Sequence, residues 1–273
     1  MAEKKPTLST AEILSAVRKA DGNETIVAER QAAKDRLEQG AKYTGPRYLG
    51  KTIEEWMDRA DAGLASIHDI RKALYRATPK AKGSVHALIR WLSHRHPHFR
   101  HAAARTLGFI GSEAVAATDD LVRLLEDPDA SVRAQALESL FIIGIPQTAI
   151  PQISRCLMDA DKVVQRSALD CLARVGDKAR DALPQMIAAL SNDQLIAEAA
   201  HALAALGPDA AAAVPDLVRV LASHEFFEYR CAAAHALGSI GTDEAITALK
   251  ERMNDRRREV RAAVKAAMKT ARQ

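Results

Sequence analysis

Aromatic residues and cysteines are scarce in this chain. Aromatic residues make up 4% of its 273 residues, whereas a compact single domain of this length would need one large core. Its three cysteines, Cys156, Cys171 and Cys231, are odd in number and have no CxxC spacing. This pattern favours small, buried, apolar cysteines in a reducing compartment over a set of disulfide bonds.

Long hydrophobic runs are also missing. No stretch approaches the roughly 20 consecutive apolar residues that a membrane-spanning helix needs. The charged segment Met1–Pro6 is not followed by the apolar run of a secretory signal. Strand-like alternation of Val, Ile and Thr is absent, so almost no β-structure is expected. We therefore expect a soluble, cytoplasmic, helical protein with no membrane contact.

Charge of one sign does not dominate either. The chain has 39 basic and 35 acidic residues, well mixed along its length, and a net charge of +4. A dedicated nucleic-acid-binding protein usually concentrates its basic residues on one face. Nucleic acid is therefore not the expected partner, although the histidine- and arginine-rich turn at 94–101 and the arginines Arg256, Arg257, Arg258 and Arg261 keep that alternative open.

What the chain does contain is a repeat of 31 to 34 residues. Its clearest marker is an apolar residue followed by glycine, at Gly111, Gly144, Gly176, Gly207 and Gly241. A second marker stands twelve residues before each glycine, at Phe99, Val132, Val164, Leu195 and Tyr229. Regular repeats of this length predict a solenoid in which each helix pair packs only on its neighbours.

Each repeat is predicted to hold two helices. The first helices are expected at 85–92, 119–125, 151–157, 184–190, 215–221 and 244–253, and three of them begin with proline, which suits the first turn of a helix. Second helices are expected to begin near the second marker. Alanine and leucine follow that marker by four and eight residues, as close-contact and core positions, and the glycine ends the helix in a left-handed conformation.

The N-terminal part lacks this pattern. Residues 1–44 are predicted as an arm, partly helical or disordered, with one short helix carrying Ile13, Leu14 and Val17 and a polar helix over 24–38. Residues 45–82 are predicted as a degenerate capping repeat, which begins at a capping box of Thr52 and Glu55 and is anchored by Trp56. Six fuller repeats then occupy residues 83–273.

One repeat carries a family resemblance. The run Leu124-Leu125-Glu126-Asp127-Pro128-Asp129-Ala130-Ser131-Val132-Arg133, followed by 136–140 and Ile143-Gly144, resembles the short bacterial HEAT repeat, also called the PBS-lyase HEAT-like repeat. The resemblance covers about residues 83–271. It implies an all-α, right-handed α-solenoid of stacked antiparallel helix pairs. The family includes scaffolds, phycobilin lyase subunits, an iron-dependent hydroxylase and a DNA glycosylase group, so the fold alone does not select a function.

The resemblance also implies a structural role for one arginine in each repeat. This arginine stands at Arg100, Arg133, Arg230 and Arg261, and is replaced by Gln165 and Ile196. In such an arrangement the arginines bridge neighbouring repeats, while Asp127, Asp159 and Asp255 cap the second helices.

Candidate chemistry is sparse. His94, His96, His98 and His101 form a histidine-rich stretch that predicts a solvated turn, with a phosphate or acidic-partner contact and a metal site as the alternatives. A single His224-Glu225 pair is too little for the two-iron hydroxylase of the resembling family. We therefore predict no catalytic residue, no cofactor and no metal, and hence no enzyme.

The predicted function is a non-catalytic scaffold or adaptor that binds another protein on its concave face, as a subunit of a larger complex. The alternatives are a nucleic-acid-binding protein of the same fold and a phycobilin-lyase-type subunit. No small-molecule ligand is expected. The N-terminal arm is a second candidate docking element. The predicted contact ridge, on the second helices, comprises His101, Arg105, Glu138, Arg166, Asp170, His201 and His235.

Overall fold

The computed structural model describes residues 23–39, 47, 49–77 and 85–271. Over these ranges the chain is built from α-helices and short 3₁₀-helices, with no β-strand. The fold is the right-handed α-solenoid that the sequence predicts. Two compact units can be distinguished, Met1–Ala87 and Leu88–Gln273. The predicted helix with Ile13, Leu14 and Val17 lies outside the described residues.

The first unit contains three described helices, α1 (Asn23–Glu38), α2 (Ile53–Asp61) and α3 (Ile67–Ala77). Thr52 caps α2 as predicted, since its Oγ1 accepts a hydrogen bond from the Glu55 N–H at 3.2 Å. Ile53 and Met57 are the buried apolar residues of α2. Trp56, predicted as the anchor, is instead only partly buried and lies beneath the Lys51 ammonium group.

The polar helix α1 packs against α2 in the first unit. Ala33 of α1 is fully buried. Arg36 donates hydrogen bonds to Asp58 Oδ1 from both Nε and Nη2, at 2.8 and 2.5 Å. A buried alanine lets the two helices approach closely, and the ion pair fixes their register.

The second unit is a stack of helix pairs, and the helix that begins it, α4, starts just before the division between the units. Its first helices are α4 (Val85–Trp91), α6 (Thr118–Arg123), α8 (Ile150–Cys156), α10 (Leu183–Ala189), α12 (Val214–Ser223) and α14 (Asp243–Glu251). Its second helices are α5 (Pro97–Ile110), α7 (Ala130–Ile143), α9 (Lys162–Val175), α11 (Ile196–Leu206), α13 (Phe227–Ile240) and α15 (Arg258–Thr270).

The core of this stack follows the predicted spacing. The alanine and leucine that lie four and eight residues after the second marker are buried in five successive second helices: Ala103/Leu107, Ala136/Leu140, Ala168/Leu172, Ala199/Leu203 and Ala233/Leu237. Residues four apart share one helix face, so each pair forms a continuous buried stripe against its neighbours.

The glycines end their helices, but not all in the predicted way. All five have positive φ, yet only Gly241, with φ 68° and ψ 13°, is in the left-handed helical region. Gly111, for example, has φ 74° and ψ −144°, a combination that is essentially restricted to glycine. The left-handed prediction is therefore wrong for the other four. At these four glycines the chain leaves the α-helix. After three of the glycines it continues into seven-residue 3₁₀-helices that were not predicted, at Gly111–Ala117, Gly176–Ala182 and Gly207–Ala213.

Successive second helices approach one another more closely than successive first helices do. Glycine allows some of these approaches. A Cβ added at Gly238 of α13 would lie 2.7 Å from the Ala267 Cα of α15. A stack that is tighter along one row of helices bends toward that row. The surface formed by the second helices of this unit is here called the second-helix face.

Candidate functional site

Arginine–aspartate pairs link successive repeats at one edge of the stack. Arg100 Nε and Nη2 donate to the two carboxylate oxygens of Asp127, at 2.6 and 2.7 Å. Arg133 binds Asp159 in the same way, with both distances 2.7 Å. Arg230 Nη2 lies 3.2 Å from Asp255 Oδ1. Each Nη1 also donates to carbonyl groups of the turn in its own repeat. The predicted bridging role is confirmed for Arg100, Arg133 and Arg230. It is wrong for Arg261, which lies in the last repeat and donates to the carbonyl groups of its own turn.

The predicted capping role of the aspartates is wrong. The residues that cap α7 and α9 are Asp129 and Asp161, two positions further on. Asp127, Asp159 and Asp255 instead each accept the backbone N–H two residues later, at 2.9 Å. They therefore shape the turn before the helix while they bind the arginine of the preceding repeat.

Two histidines take the same turn position. His94 Nδ1 accepts the His96 N–H at 3.0 Å, and His224 Nδ1 accepts the Phe226 N–H at 3.2 Å. The His94 ring also packs edge-on against Phe99, with the ring centroids 4.6 Å apart. The solvated turn predicted for the histidine-rich stretch is therefore partly wrong, because His94 has a structural role. The structure shows no group of three metal-ligating side chains in its described part.

The arginine series is interrupted around α11. Gln165 donates to the carbonyl of Asp159 in its own turn, at 2.6 Å, and accepts from Lys162 one turn away, while Ile196 is buried and apolar. The turn before α11 is also shorter, since five positions separate Leu190 from Leu195 where seven separate Leu157 from Val164. Leu195 provides no side-chain cap. The repeat made by α10 and α11 thus lacks the arginine–aspartate pair on both sides.

A groove of about 730 Å³ lies on the second-helix face, formed by α7, α9 and α11. We call it the α9 groove, because most of its lining comes from that helix. Its lining residues are Glu138, Phe141, Ile142, Val163, Arg166, Ser167, Asp170, Ala173, Arg174 and His201. Apolar atoms make up most of its surface, with charged groups placed between them. Such a surface suits an apolar side chain with a neighbouring polar group.

The two arginines of the α9 groove are already engaged. Arg166 Nε lies 2.9 Å from Glu198 Oε1. The Arg174 guanidinium lies over the Phe141 ring, 4.7 Å from its centroid, in a cation–π contact. Glu138 accepts a hydrogen bond from Gln135 Nε2 at 3.2 Å.

The Asp170 carboxylate in the α9 groove has a shifted pKa. Its pKa is raised above the ordinary value, because the groove walls partly desolvate the carboxylate and Glu198 repels its charge. His201 and Arg166 act in the opposite direction without cancelling these effects. No side chain in the described part of the chain donates a hydrogen bond to this carboxylate.

All seven residues of the predicted ridge lie on second helices. Four of them meet in the α9 groove: Glu138, Arg166, Asp170 and His201. The groove does not include His101, Arg105 and His235, and Arg105 instead lies over the exposed Phe109 ring at 5.3 Å.

The apolar part of the groove, formed by Phe141, Ile142 and Val163, is not among the residues predicted from sequence. One signal could have revealed it. The residue three positions before the glycine is small in four repeats, Gly108, Ala173, Ala204 and Gly238, but is Phe141 in the fifth. A large aromatic side chain in a row of small residues marks a local change of the surface.

The cysteines do not form a reactive site. Cys156 and Cys171 are buried as predicted, and Cys231 is partly exposed. Burial raises the pKa of Cys156 to about 11, so the thiol stays protonated at neutral pH. The Cys171 thiol lies 3.4 Å from the Leu137 carbonyl oxygen, within reach as a weak donor.

In the part of the chain that is described, no helix has the length and apolar character required to cross a bilayer.

Comparisons with known proteins agree with this architecture. A family model described as HEAT repeats matches residues 69–141, 118–204 and 183–269, which together cover more than half of the chain. No curated protein matches the sequence.

Several solved structures with a similar fold are engineered or designed proteins. One engineered protein has a TM-score of 0.56 at 24% identity, with 69% of this chain and 96% of that chain covered. A designed armadillo repeat protein in complex with peptide (KR)4 has a TM-score of 0.57 at 20% identity, with coverage of 68% and 98%. A second engineered protein has a TM-score of 0.57 at 22% identity, and the match covers 89% of this chain and 71% of that chain.

Proposed function

The chain belongs to the HEAT repeat family, and we propose that it is a non-catalytic adaptor that binds a segment of another protein in the α9 groove. The observation that carries this proposal is the groove itself, where exposed apolar side chains meet charged groups on the second-helix face. Repeat solenoids present extended surfaces of this kind, and side-chain variation along them sets the choice of partner.

The chemistry of the described residues supports a binding role over catalysis. The arginine–aspartate pairs hold repeats together, two thiols are buried, and the groove lacks a nucleophile paired with a base. The similar designed armadillo repeat protein is described in complex with a peptide. We extend peptide or protein binding to this chain as part of the proposal.

Two finer points belong to the same proposal. The pattern from Leu124 to Gly144 supports membership in the short bacterial form of the repeat. We also propose that residues 83–273 are the binding array, that 45–82 cap it, and that 1–44 form an arm and a second docking element.

Affinity capture with matched variants tests the proposed function. The full chain, the double variant Ile142→Asp/Val163→Asp and the control Met158→Asp are immobilised and exposed to lysate of the native host. Ile142, Val163 and Met158 are all largely exposed, so each change should leave the fold intact, which circular dichroism verifies.

We expect one protein to be retained by the wild type and the control, and to be reduced about tenfold or more with the double variant, a change of roughly 1.4 kcal/mol in binding. Equal retention by all three chains would show that the groove is not the binding surface.

A further inference from the structure

We propose that the α9 groove selects a segment that carries a basic side chain, placed between Glu138 and Asp170, next to an apolar side chain over Ile142 and Val163. This inference rests on the proposed function and adds the chemistry of the partner. It is argued from three features of the groove: its apolar exposure, the state of its cations and the placement of its two carboxylates.

The apolar contact comes from neighbouring helices. Ile142 on α7 and Val163 on α9 are each 52% exposed. Single exposed apolar residues are common on protein surfaces. Here both line one groove together with Phe141, and burial of such a group by a partner would remove several apolar side chains from water at once. A leucine-sized or aromatic side chain matches this contact.

The cations of the groove are paired within the protein. Arg166 lies against Glu198, and Arg174 lies over Phe141. A partner carboxylate would have to compete with Glu198 for Arg166 or draw Arg174 away from the aromatic ring. An acidic segment would also approach Glu138 and Asp170, and like charges at close range oppose binding.

Glu138 and Asp170 line the same groove from adjacent helices. Each stands six residues before the glycine that ends its helix, so the two occupy equivalent positions on α7 and α9. A cation that enters the groove therefore meets a carboxylate from each helix, and hydrogen bonds between charged groups are stronger than those between neutral groups.

The raised pKa of Asp170 agrees with this assignment. Its carboxylate is partly desolvated, repelled by Glu198 and offset only in part by Arg166 and His201. A cation from a partner would supply the missing counter-charge, and arginine would do so with two parallel hydrogen bonds.

The test uses the full chain and a library of random twelve-residue peptides displayed on phage. Enriched peptides are resynthesised with a fluorophore, and their Kd values are measured by fluorescence anisotropy. The comparison includes the wild type, the isosteric double variant E138Q/D170N and the groove variant I142D. The control E251Q removes one exposed acidic charge from α14, on the opposite row of helices.

We expect enriched peptides to combine an apolar residue with a lysine or arginine within a few positions. Their affinity should fall about tenfold or more in E138Q/D170N and in I142D, and remain unchanged in E251Q. The inferred chemistry would be overturned if the enriched peptides were acidic. It would also be overturned if basic peptides kept their affinity for E138Q/D170N but lost it for I142D. In both cases the groove would remain a binding site. Binding that is weakened in E138Q/D170N but indifferent to I142D would overturn the apolar part of the inference. No enrichment at all, or binding indifferent to both variants, would overturn both the inference and the proposed function.

Discussion

Individual arginine and aspartate side chains set the spacing between successive repeats. Arg133 and Asp159 are mostly buried, with side chains 15% and 12% exposed, and their contact is bidentate. A pair in this environment costs much more to break than an exposed one, because the remaining charge has lost its counterpart away from water. Asp159 also accepts the Asp161 N–H, so one carboxylate both shapes the turn and binds the arginine of the preceding repeat.

We predict that Asp159→Asn lowers the free energy of unfolding by about 2–3 kcal/mol at pH 7, because Arg133 loses a charged acceptor. Although burial alone would raise the pKa of Asp159, the hydrogen bonds from Arg133 and from the Asp161 N–H hold it below 3.8. A lowered pKa contributes stability above pH 3.8, and this stability is lost as the pH falls through the folded value. Urea unfolding at pH 7 and pH 3 should therefore show a smaller acid-induced loss in the variant.

Asp120→Asn provides the matched control. Asp120 pairs with the exposed Arg123 one turn away on α6, and such surface pairs contribute about 0.5 kcal/mol or less. A loss as large in this variant as in Asp159→Asn would contradict the structural role of the buried pairs.

Sequence could predict that Arg100, Arg133 and Arg230 bridge repeats, because these residues recur with the period of the stack, but the same period wrongly included Arg261. It could not assign the aspartates correctly. Asp127 and Asp129 lie two positions apart and both suit a helix N-terminus, so only the geometry shows that Asp129 caps α7 while Asp127 binds Arg100.

At the scale of elements, close contact between second helices depends on small residues at the crossing points. Gly108 of α5 faces Ser139 of α7, whose hydroxyl donates to the Ala104 carbonyl across the interface at 2.8 Å. Gly238 of α13 faces Ala267 of α15 even more closely. These contacts tighten the second-helix face and so help to set its curvature.

We predict that Gly238→Ala destabilises the protein by about 1–2 kcal/mol. Alanine favours a helix by about 1 kcal/mol over glycine, but here its methyl group would lie 2.7 Å from backbone and side-chain atoms of Ala267, and overpacking of this kind costs about 1–3 kcal/mol. Thermal and urea unfolding measure the difference. The neighbouring change Ser239→Ala should stay within about 0.5 kcal/mol, and a stabilising Gly238→Ala would show that the two helices separate easily.

The helices themselves could be predicted from sequence to within a few residues, since the apolar spacing repeats so regularly. The α9 groove could be predicted only in part. Its charged residues occupy repeated positions, whereas Phe141 and Val163 join it through the particular way in which α7 and α9 pack. The 3₁₀-helices were missed because residues such as 111–117 have no apolar period of their own.

At the scale of the whole molecule, the links between repeats in the second unit are uneven. The repeat of α10 and α11 lacks the buried arginine–aspartate pair on either side and is linked instead by more exposed pairs, Arg166 with Glu198 and Arg180 with Asp209. In a solenoid, stability is approximately a sum of repeat and interface contributions. Weaker interfaces therefore predict easier local opening.

Hydrogen exchange should reveal this unevenness. We predict that backbone amides of α11 exchange faster than equivalent amides of α7 under native conditions, because α11 lacks the side-chain cap and the bidentate arginine–aspartate pair that α7 has. Mass spectrometry of the full chain after timed labelling measures the rates. Equal protection of the two helices would show that alanine packing alone determines the stability of each repeat.

Site-specific photo-cross-linking detects binding in the α9 groove through contact between the groove and its partner. A benzophenone amino acid is placed at Ile142, in the groove, or at Met158, which is 75% exposed and lies outside it. After irradiation in lysate of the native host, we predict a defined cross-linked protein from position 142 and none from position 158. Cross-linking from position 158 alone would contradict binding in the α9 groove. Cross-linking of the same protein with equal yield from both positions would contradict it as well.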